Sequence, residues 1–159
     1  MTLLGLFGTA VGLASWLGSV VFFWFFVTPV LSKRLVPGKM AELISVLNPR
    51  YYFLSYACGL LMLIGVINPI INEKTRAWAI AFISLTLVSL AISLYGGIVV
   101  SPRSQDLRER LQSSAGSDEN LWIRDRFDHT NRLSMFLNGL VILLLLGAAY
   151  CLSGLIILP

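Results

Sequence analysis

The stretch LSMFLNGLVILLLLGAAYCLSGLIILP, residues 133–159, runs for 27 residues without a charged side chain. A helix rises about 1.5 Å per residue and crosses the apolar core of a bilayer, about 30 Å thick, in about 20 residues. Three more uncharged stretches, of 32, 22 and 26 residues, occupy 1–32, 51–72 and 77–102. Backbone polar groups in lipid must pair within the protein, as they do in a helix. The sequence therefore predicts four membrane helices.

The composition excludes the usual soluble classes. Hydrophobic residues make up 57% of the chain and charged residues 13%, against about 45–50% and about 25% in a soluble domain. Disordered chains have low hydrophobicity and high net charge, and secreted disulfide scaffolds are rich in Cys, of which this chain has two. We therefore expect an all-α integral membrane protein, an antiparallel four-helix bundle in a single domain over residues 1–159. Its helices are predicted at about 3–32, 49–71, 76–110 and 118–158.

The distribution of Lys and Arg predicts the orientation. The two long connections, 33–50 and 103–132, together carry ten of the 12 Lys and Arg residues. The opposite side carries only Lys74 and Arg76. By the positive-inside rule the long connections are cytoplasmic and both termini lie on the non-cytoplasmic side. This charge is explained by topology, so nucleic acid is not expected as a partner.

Small residues form stripes on two of the predicted helices. They recur every three or four residues, so each stripe lies on one helix face. Small residues let helix backbones approach closely in lipid, where no hydrophobic force brings helices together. The stripes predict helix packing inside the bundle, with a dimer face as the alternative. They consist of Gly5, Gly8, Gly12, Ser15 and Ser19 on the first helix, and Thr86, Ser89, Ser93 and Gly96 on the third.

The connections carry their own local signals. Apolar residues from Met40 to Leu47 have helical spacing and predict a short amphipathic segment, followed by Asn48-Pro49 as the start of the second membrane helix. Pro102 is expected to bend or end the third helix. Beyond it, oppositely charged residues stand four apart and predict a polar helical hairpin. The predicted pairs are Asp106 with Arg110, Arg124 with Asp128, and Asp128 with Arg132.

The sequence predicts no catalytic, cofactor-binding or metal-binding residues. No charged residue lies within a predicted span, which weighs against proton pumping, voltage sensing and transport of charged substrates. Cys58 and Met62 stand four residues apart and are soft ligands that suit Cu(I), but Cys151 lies at a different depth. We interpret these residues as core side chains. The single histidine excludes bis-histidine haem ligation within one chain.

One polar cluster opens the fourth helix. Asn131, Ser134 and Asn138 share a helix face, and His129 and Arg132 lie beside them. An amide in hydrocarbon must find hydrogen-bonding partners, so Asn138 is expected to face the bundle interior. The cluster is interpreted either as a link between helices or as a polar pocket with Arg103 nearby. The predicted pocket consists of His129, Asn131, Arg132, Ser134, Asn138 and Arg103.

Several short motifs resemble the transmembrane protein 205-like family. They are Trp16-x-Gly18, the aromatic run 22–26 leading into Thr28-Pro29-Val30-Leu31, Pro49-x-x-Tyr52-Phe53, Pro102, and Arg132-Leu133-Ser134-x-x-x-Asn138. The resemblance implies a small four-helix membrane protein with a domain of unknown function. It also implies a distant similarity to the membrane domain of copper-resistance D proteins, and hence metal handling. The family has a His three residues before that Ser, where this chain has Asn131.

These observations lead to two main hypotheses about function. The first is a non-enzymatic accessory or interaction subunit of the membrane, favoured by the uncharged spans and the small-residue stripes. The alternative is a transporter or tolerance factor for a metal ion or small solute, favoured by the resemblance and the polar cluster. A redox enzyme with a bound cofactor is a third hypothesis. The expected partners are the lipid bilayer and either a second copy of the chain or a larger membrane complex.

Overall fold

The computed structural model describes residues 3–27, 30, 37–67, 73–113 and 119–157, and these contain helices and turns with no strand. Helix α1 (Leu3–Phe22) continues into a first π turn, Phe23–Val27, and is followed by α2 (Pro37–Gly65). Helix α3 (Arg76–Tyr95) continues through a second π turn, Gly96–Val100, into α4 (Ser101–Ser113). Helix α5 (Glu119–Ile157) is the longest, with 39 residues. The fold is therefore all-α, as predicted, and consists of four helical rods.

Three of these rods are long and apolar enough to cross a membrane. The spans are Leu4–Val27, Arg76–Leu107 and Arg132–Ile157, with 24, 32 and 26 residues. The protein is therefore embedded in the membrane. Helix α2 does not meet the same criterion, since it carries Asn48, Pro49 and Arg50 near its middle.

Helix α2 begins 12 residues before the predicted start at Pro49. The predicted amphipathic segment and the second membrane helix are one continuous helix, with Pro49 inside it. A proline removes one backbone donor, and here the helix continues on both sides of it. The Asn48 side chain does not mark a helix start: its Nδ2 donates to Ser101 Oγ at 3.1 Å. The helix ends at Gly65 instead of 71, and residues 68–72 lie outside the described ranges.

Pro102 was expected to bend or end the third helix, and the rod does not end there but runs on through α4 to Ser113. The irregularity precedes the proline, in the second π turn. There the N–H of Ser101 donates to the carbonyl of Gly96, five residues earlier. Since Pro102 has no N–H, the regular hydrogen-bond ladder must lapse at this point. A π turn and a proline are two recognised causes of helix irregularity.

The rods pack most extensively in two pairs, α1 with α2 and α3 with α5. Helix α1 also contacts α5, and α2 contacts α3, so that one core joins all four rods. Trp16, Met62, Phe82 and Leu145 have no solvent-accessible surface in this core. Cys58 and Cys151 are buried in the same core as free thiols.

Glycines set the closest approaches between rods. A β-carbon at Gly12 would lie 3.0 Å from the carbonyl oxygen of Cys58, and one at Gly65 would lie 2.6 Å from that of Gly5. A β-carbon at Gly154 would lie 2.7 Å from the Trp78 ring. Such spacing leaves no room for a side chain, as expected of helices that associate in lipid. We call these three positions the glycine contacts.

Four buried hydroxyl groups hydrogen-bond within their own helices. Thr9 donates to the carbonyl of Gly5 at 2.9 Å, and Ser55 donates to that of Tyr51 at 3.1 Å. Thr86 and Ser89 each donate at 2.8 Å to the carbonyl four residues earlier. The hydroxyl hydrogens of these four side chains therefore form no links between helices.

The two predicted stripes occupy several environments. Gly5 and Gly12 lie against α2, and a β-carbon at Gly8 would be 3.7 Å from Leu61. Ser15 is exposed, whereas Ser19 is half-buried and donates to the carbonyl of Trp16. On the α3 rod all four stripe residues, Thr86, Ser89, Ser93 and Gly96, are buried.

Candidate functional site

A cavity of about 370 Å³ lies between the rod formed by α3, the second π turn and α4, and the facing part of α5. We call this cavity the groove. Both walls contribute charged and apolar side chains. It is lined by Tyr95, Val99, Val100 and Arg103 on one side and by Asp125, Arg126, His129, Thr130 and Leu133 on the other.

The first wall of the groove is supported from behind by α2. The Tyr56 hydroxyl donates to the carbonyl of Ser93 at 3.5 Å. A β-carbon at Gly97 would lie 2.7 Å from the Tyr56 oxygen, and one at Gly96 would lie 3.1 Å from the Tyr52 oxygen. The glycine pair thus lets both tyrosines pack directly on the π turn. This contact holds the second π turn in place, and the last two residues of that turn, Val99 and Val100, line the groove.

The second wall is one face of α5. Its five lining residues span two helical turns at spacings of one, three or four, which place them on the same side of the helix. Thr130 is buried and donates to the carbonyl of Arg126 at 2.9 Å. The Arg126 guanidinium lies 4.9 Å from the centre of the exposed Trp122 ring. This cation–π contact holds the guanidinium near the groove.

The groove changes from apolar to charged along its length. On α5, Leu133 lies about 10 Å along the helix axis from Arg126. Val99 and Tyr95 extend the apolar part toward the membrane-embedded section of α3, where Leu85 lies against Gly147 and Trp78 against Gly154. Asp125 and Arg126 form the opposite, charged part. The lining therefore suits a ligand with one polar end and one apolar end.

The charged side chains of the groove are accessible. Arg103, Asp125, Arg126 and His129 are all exposed. Neither Arg103 nor His129 makes a hydrogen bond or an ion pair with another residue that the structure describes. Two guanidinium groups thus share the cavity with one carboxylate. This arrangement can bind an anion through charge-assisted hydrogen bonds.

The structure brings together two of the predicted pocket residues, Arg103 and His129. Arg132 is exposed on α5 and does not line the groove. Ser134 and Asn138 are half-buried farther along α5 and are also absent from its lining. The side chain of Asn131 lies outside the described residues. The groove therefore shares Arg103 and His129 with the predicted pocket and extends from them toward the hairpin.

Seven of the nine lining residues were not predicted from the sequence, and four of these seven are polar: Tyr95, Asp125, Arg126 and Thr130. The pocket residues predicted on the fourth helix begin at His129, whereas the groove extends to Asp125 and Arg126, one helical turn earlier on α5. The helical spacing of residues 125–133 places these side chains on one face and was the available signal. The predicted hairpin pair Asp106–Arg110 is confirmed, with Nε and Oδ2 3.1 Å apart.

Within the described ranges, no group of three or more His, Cys, Asp or Glu side chains is arranged to hold a metal ion. Cys58 and Met62, the two soft ligands considered from the sequence, both lie in the apolar core.

A model of a protein family described as "Domain of unknown function (DUF4149)" matches residues 11–113, which is more than half of the chain. The match covers α2, α3, α4 and most of α1. No curated protein and no solved structure matches the chain.

Proposed function

We propose that this chain, which belongs to the DUF4149 family of domains of unknown function, acts as a non-enzymatic accessory or interaction subunit of a membrane assembly. In this proposal the four rods form an antiparallel bundle that crosses the membrane four times. Both termini lie on the non-cytoplasmic side, and its partners are lipid and either a second copy or a larger protein complex.

Contacts between rods support the antiparallel arrangement. Gly65, at the end of α2, lies against Gly5, at the start of α1. Gly154 near the end of α5 lies against Trp78 near the start of α3. Asn48 in the first half of α2 donates to Ser101, which lies late in the rod formed by α3, the second π turn and α4. Each contact joins an early part of one rod to a late part of another.

The outer surface of α2 supports a fourth span. Phe53, Leu60 and Ile64 are 74%, 59% and 65% exposed. These side chains are too apolar to face water as a continuous surface, and lipid would cover them. The fourth span thus depends on the half of α2 that follows Arg50.

The closed core is the observation that carries the accessory role. A transport path through one copy needs a polar route between helices. Here Trp16, Met62 and Phe82 are completely buried in the core that joins the rods. Thr9, Ser55, Thr86 and Ser89 donate to carbonyls of their own helices, and among the described residues the indole N–H of Trp16 is the one buried side-chain donor without a partner. A protein with this interior is better suited to contact other proteins through its outer surface than to move a solute through itself.

The state of assembly tests the accessory role. The full chain is extracted from its native membrane in a mild detergent, and its protein mass is measured by size-exclusion chromatography with light scattering. We expect a stoichiometric complex heavier than the 17.6 kDa of one chain. A single chain migrating alone would contradict the proposal. Flux of a metal ion into proteoliposomes made from the purified chain would instead support the transporter alternative.

The orientation is tested separately with reporter fusions. A reporter placed after Pro159 or before Met1 should be read on the non-cytoplasmic side, because ten basic residues hold the long connections inside. A reporter inserted between α4 and α5 serves as the matched control and should be read in the cytoplasm. A cytoplasmic signal from either terminus would overturn the orientation.

A further inference from the structure

We propose that the groove binds an anionic phospholipid, with the phosphate held by Arg103, His129 and Arg126 and the acyl chains running past Tyr95, Val99 and Leu133 into the bilayer. This inference rests on the cavity and its lining. It is independent of the accessory role and of the orientation of the chain.

The groove lies at the depth in the membrane at which lipid headgroups lie. One wall lies within and beside the span Arg76–Leu107, and the other wall borders the start of the span Arg132–Ile157. The charged part of the groove is therefore at the membrane surface. Its apolar part, with Tyr95 48% exposed and Val99 41% exposed, opens toward the lipid.

The chemistry of the groove fits a phosphate. Guanidinium groups bind phosphate oxygens through paired, charge-assisted hydrogen bonds, and an imidazole N–H adds a further donor. Arg103 has no ion-pair partner among the described residues. Among the described residues, the Arg126 guanidinium contacts the Trp122 ring at 4.9 Å and forms no ion pair. Both cations are thus available to a ligand.

Asp125 is the one carboxylate in the described lining of the groove, and it limits the kinds of lipid headgroup that fit there. Asp125 accepts hydrogen bonds but repels a second anion, so a headgroup that carries hydroxyl donors beyond its phosphate suits it. A glycerol headgroup has such hydroxyls, whereas a choline headgroup has no hydrogen-bond donor. The cavity of about 370 Å³ is within the usual size range of ligand pockets, about 300–1,000 Å³.

The test is native mass spectrometry of the full chain in micelles that contain equal amounts of phosphatidylglycerol and phosphatidylcholine. We expect one phosphatidylglycerol molecule to stay bound per chain while phosphatidylcholine is lost. Arg103→Gln should weaken phosphatidylglycerol binding by about tenfold, the usual consequence of removing a charge-assisted hydrogen bond. Arg126→Gln should have an effect in the same direction.

Arg132→Gln is the matched control. Arg132 is an exposed arginine on the same helix as His129 but does not line the groove. Its substitution should leave retention of phosphatidylglycerol within about twofold of the wild type, since a change of that size is under 0.5 kcal/mol. An equal loss in Arg132→Gln would show general attraction to a basic surface and would overturn the site, as would equal retention of the two lipids.

Soluble phosphate distinguishes a lipid from a free anion. Glycerol 3-phosphate carries the same phosphate and hydroxyl groups without acyl chains, so it should not displace the lipid at equal concentration. Displacement would show that the apolar part of the groove contributes nothing and would overturn the lipid assignment. Circular dichroism of each variant should match the wild type, because the substituted arginines are exposed.

Discussion

The rods α3–α4 and α5 contact each other in two different ways. At one place Trp78 and Leu85 pack directly on Gly154 and Gly147. At the other, the longer side chains of Arg103, Arg126 and their neighbours leave a cavity between the same two rods. In lipid, the distance between helices depends on side-chain size, since the surrounding acyl chains are as apolar as the helices. The glycine contacts, both here at Gly154 and between α1 and α2 at Gly12 and Gly65, should therefore contribute to stability, and the groove should contribute to ligand recognition.

The largest effect is expected at Gly65. A β-carbon there would overlap Thr9 Oγ1 and lie 2.6 Å from the carbonyl oxygen of Gly5. Since one of these groups is backbone, the helices would have to move apart. Gly65→Ala should lower the free energy of unfolding by about 1–3 kcal/mol, the usual range for overpacking. Thermal unfolding in detergent measures this change.

The control for this prediction is Gly139→Ala in α5. A β-carbon at Gly139 would meet nothing within 4 Å. Alanine favours the helix over glycine, so this variant should be as stable as the wild type or more stable, by up to about 1 kcal/mol. Equal stability of the two variants would show that the glycine contacts do not set the packing.

A second pair of substitutions compares two faces of α1. A β-carbon at Gly12 would lie 3.0 Å from the Cys58 oxygen and 3.1 Å from Met62 Cγ, whereas one at Gly18 would meet nothing within 4 Å. Gly12→Ala should cost about 1 kcal/mol, because the clash exceeds the gain in helix propensity. Gly18→Ala should not destabilise the chain in the same unfolding measurement. A loss of assembly in Gly12→Ala at unchanged stability would instead indicate the dimer face.

Uncharged stretches and helical spacing predicted most of the fold. A helix that crosses the lipid must be largely uncharged, so the uncharged stretches 77–102 and 133–159 indicated the spans that the structure places at 76–107 and 132–157. The start of α2 could not be located in this way. Asn48-Pro49 suits a helix start, but it also suits a position inside a helix where Asn48 has another hydrogen-bonding partner. That partner is Ser101, 53 residues away in the chain, and no local pattern indicates it.

The candidate site was harder to predict than the fold. Arg103 and His129 were expected near each other because both stand where a helix leaves the membrane. Asn138 was placed in the pocket by the cost of an amide in hydrocarbon, yet it is half-buried away from the groove. The free-energy cost of an unpartnered amide in hydrocarbon excludes positions that face the acyl chains, but it does not select among the remaining positions. Two of the lining residues, Val99 and Val100, belong to the second π turn, which sequence spacing did not reveal.

A smaller effect is expected for the ion pair on α4. Asp106 and Arg110 are four residues apart and 3.1 Å apart, but their side chains are 58% and 66% exposed. Water and salt screen such pairs, so Asp106→Ala should cost only about 0.3–0.5 kcal/mol. The loss should shrink as the salt concentration of the unfolding measurement is raised. A loss of unfolding free energy as large as that expected for Gly65→Ala would contradict this prediction. It would show that the hairpin contributes as much to stability as the glycine contacts do.

The smallest effect on stability is expected in the groove itself. Arg103 is exposed, and among the described residues its guanidinium forms no ion pair or hydrogen bond that folding must preserve. In lipid-free detergent, Arg103→Gln should leave the free energy of unfolding within about 0.5 kcal/mol of the wild type. Added phosphatidylglycerol should then raise the stability of the wild type more than that of the variant, because a ligand of the folded state stabilises it in proportion to its affinity. A marked loss of stability without lipid would mean that Arg103 holds the rods together, and the groove would be a structural contact like the glycine contacts.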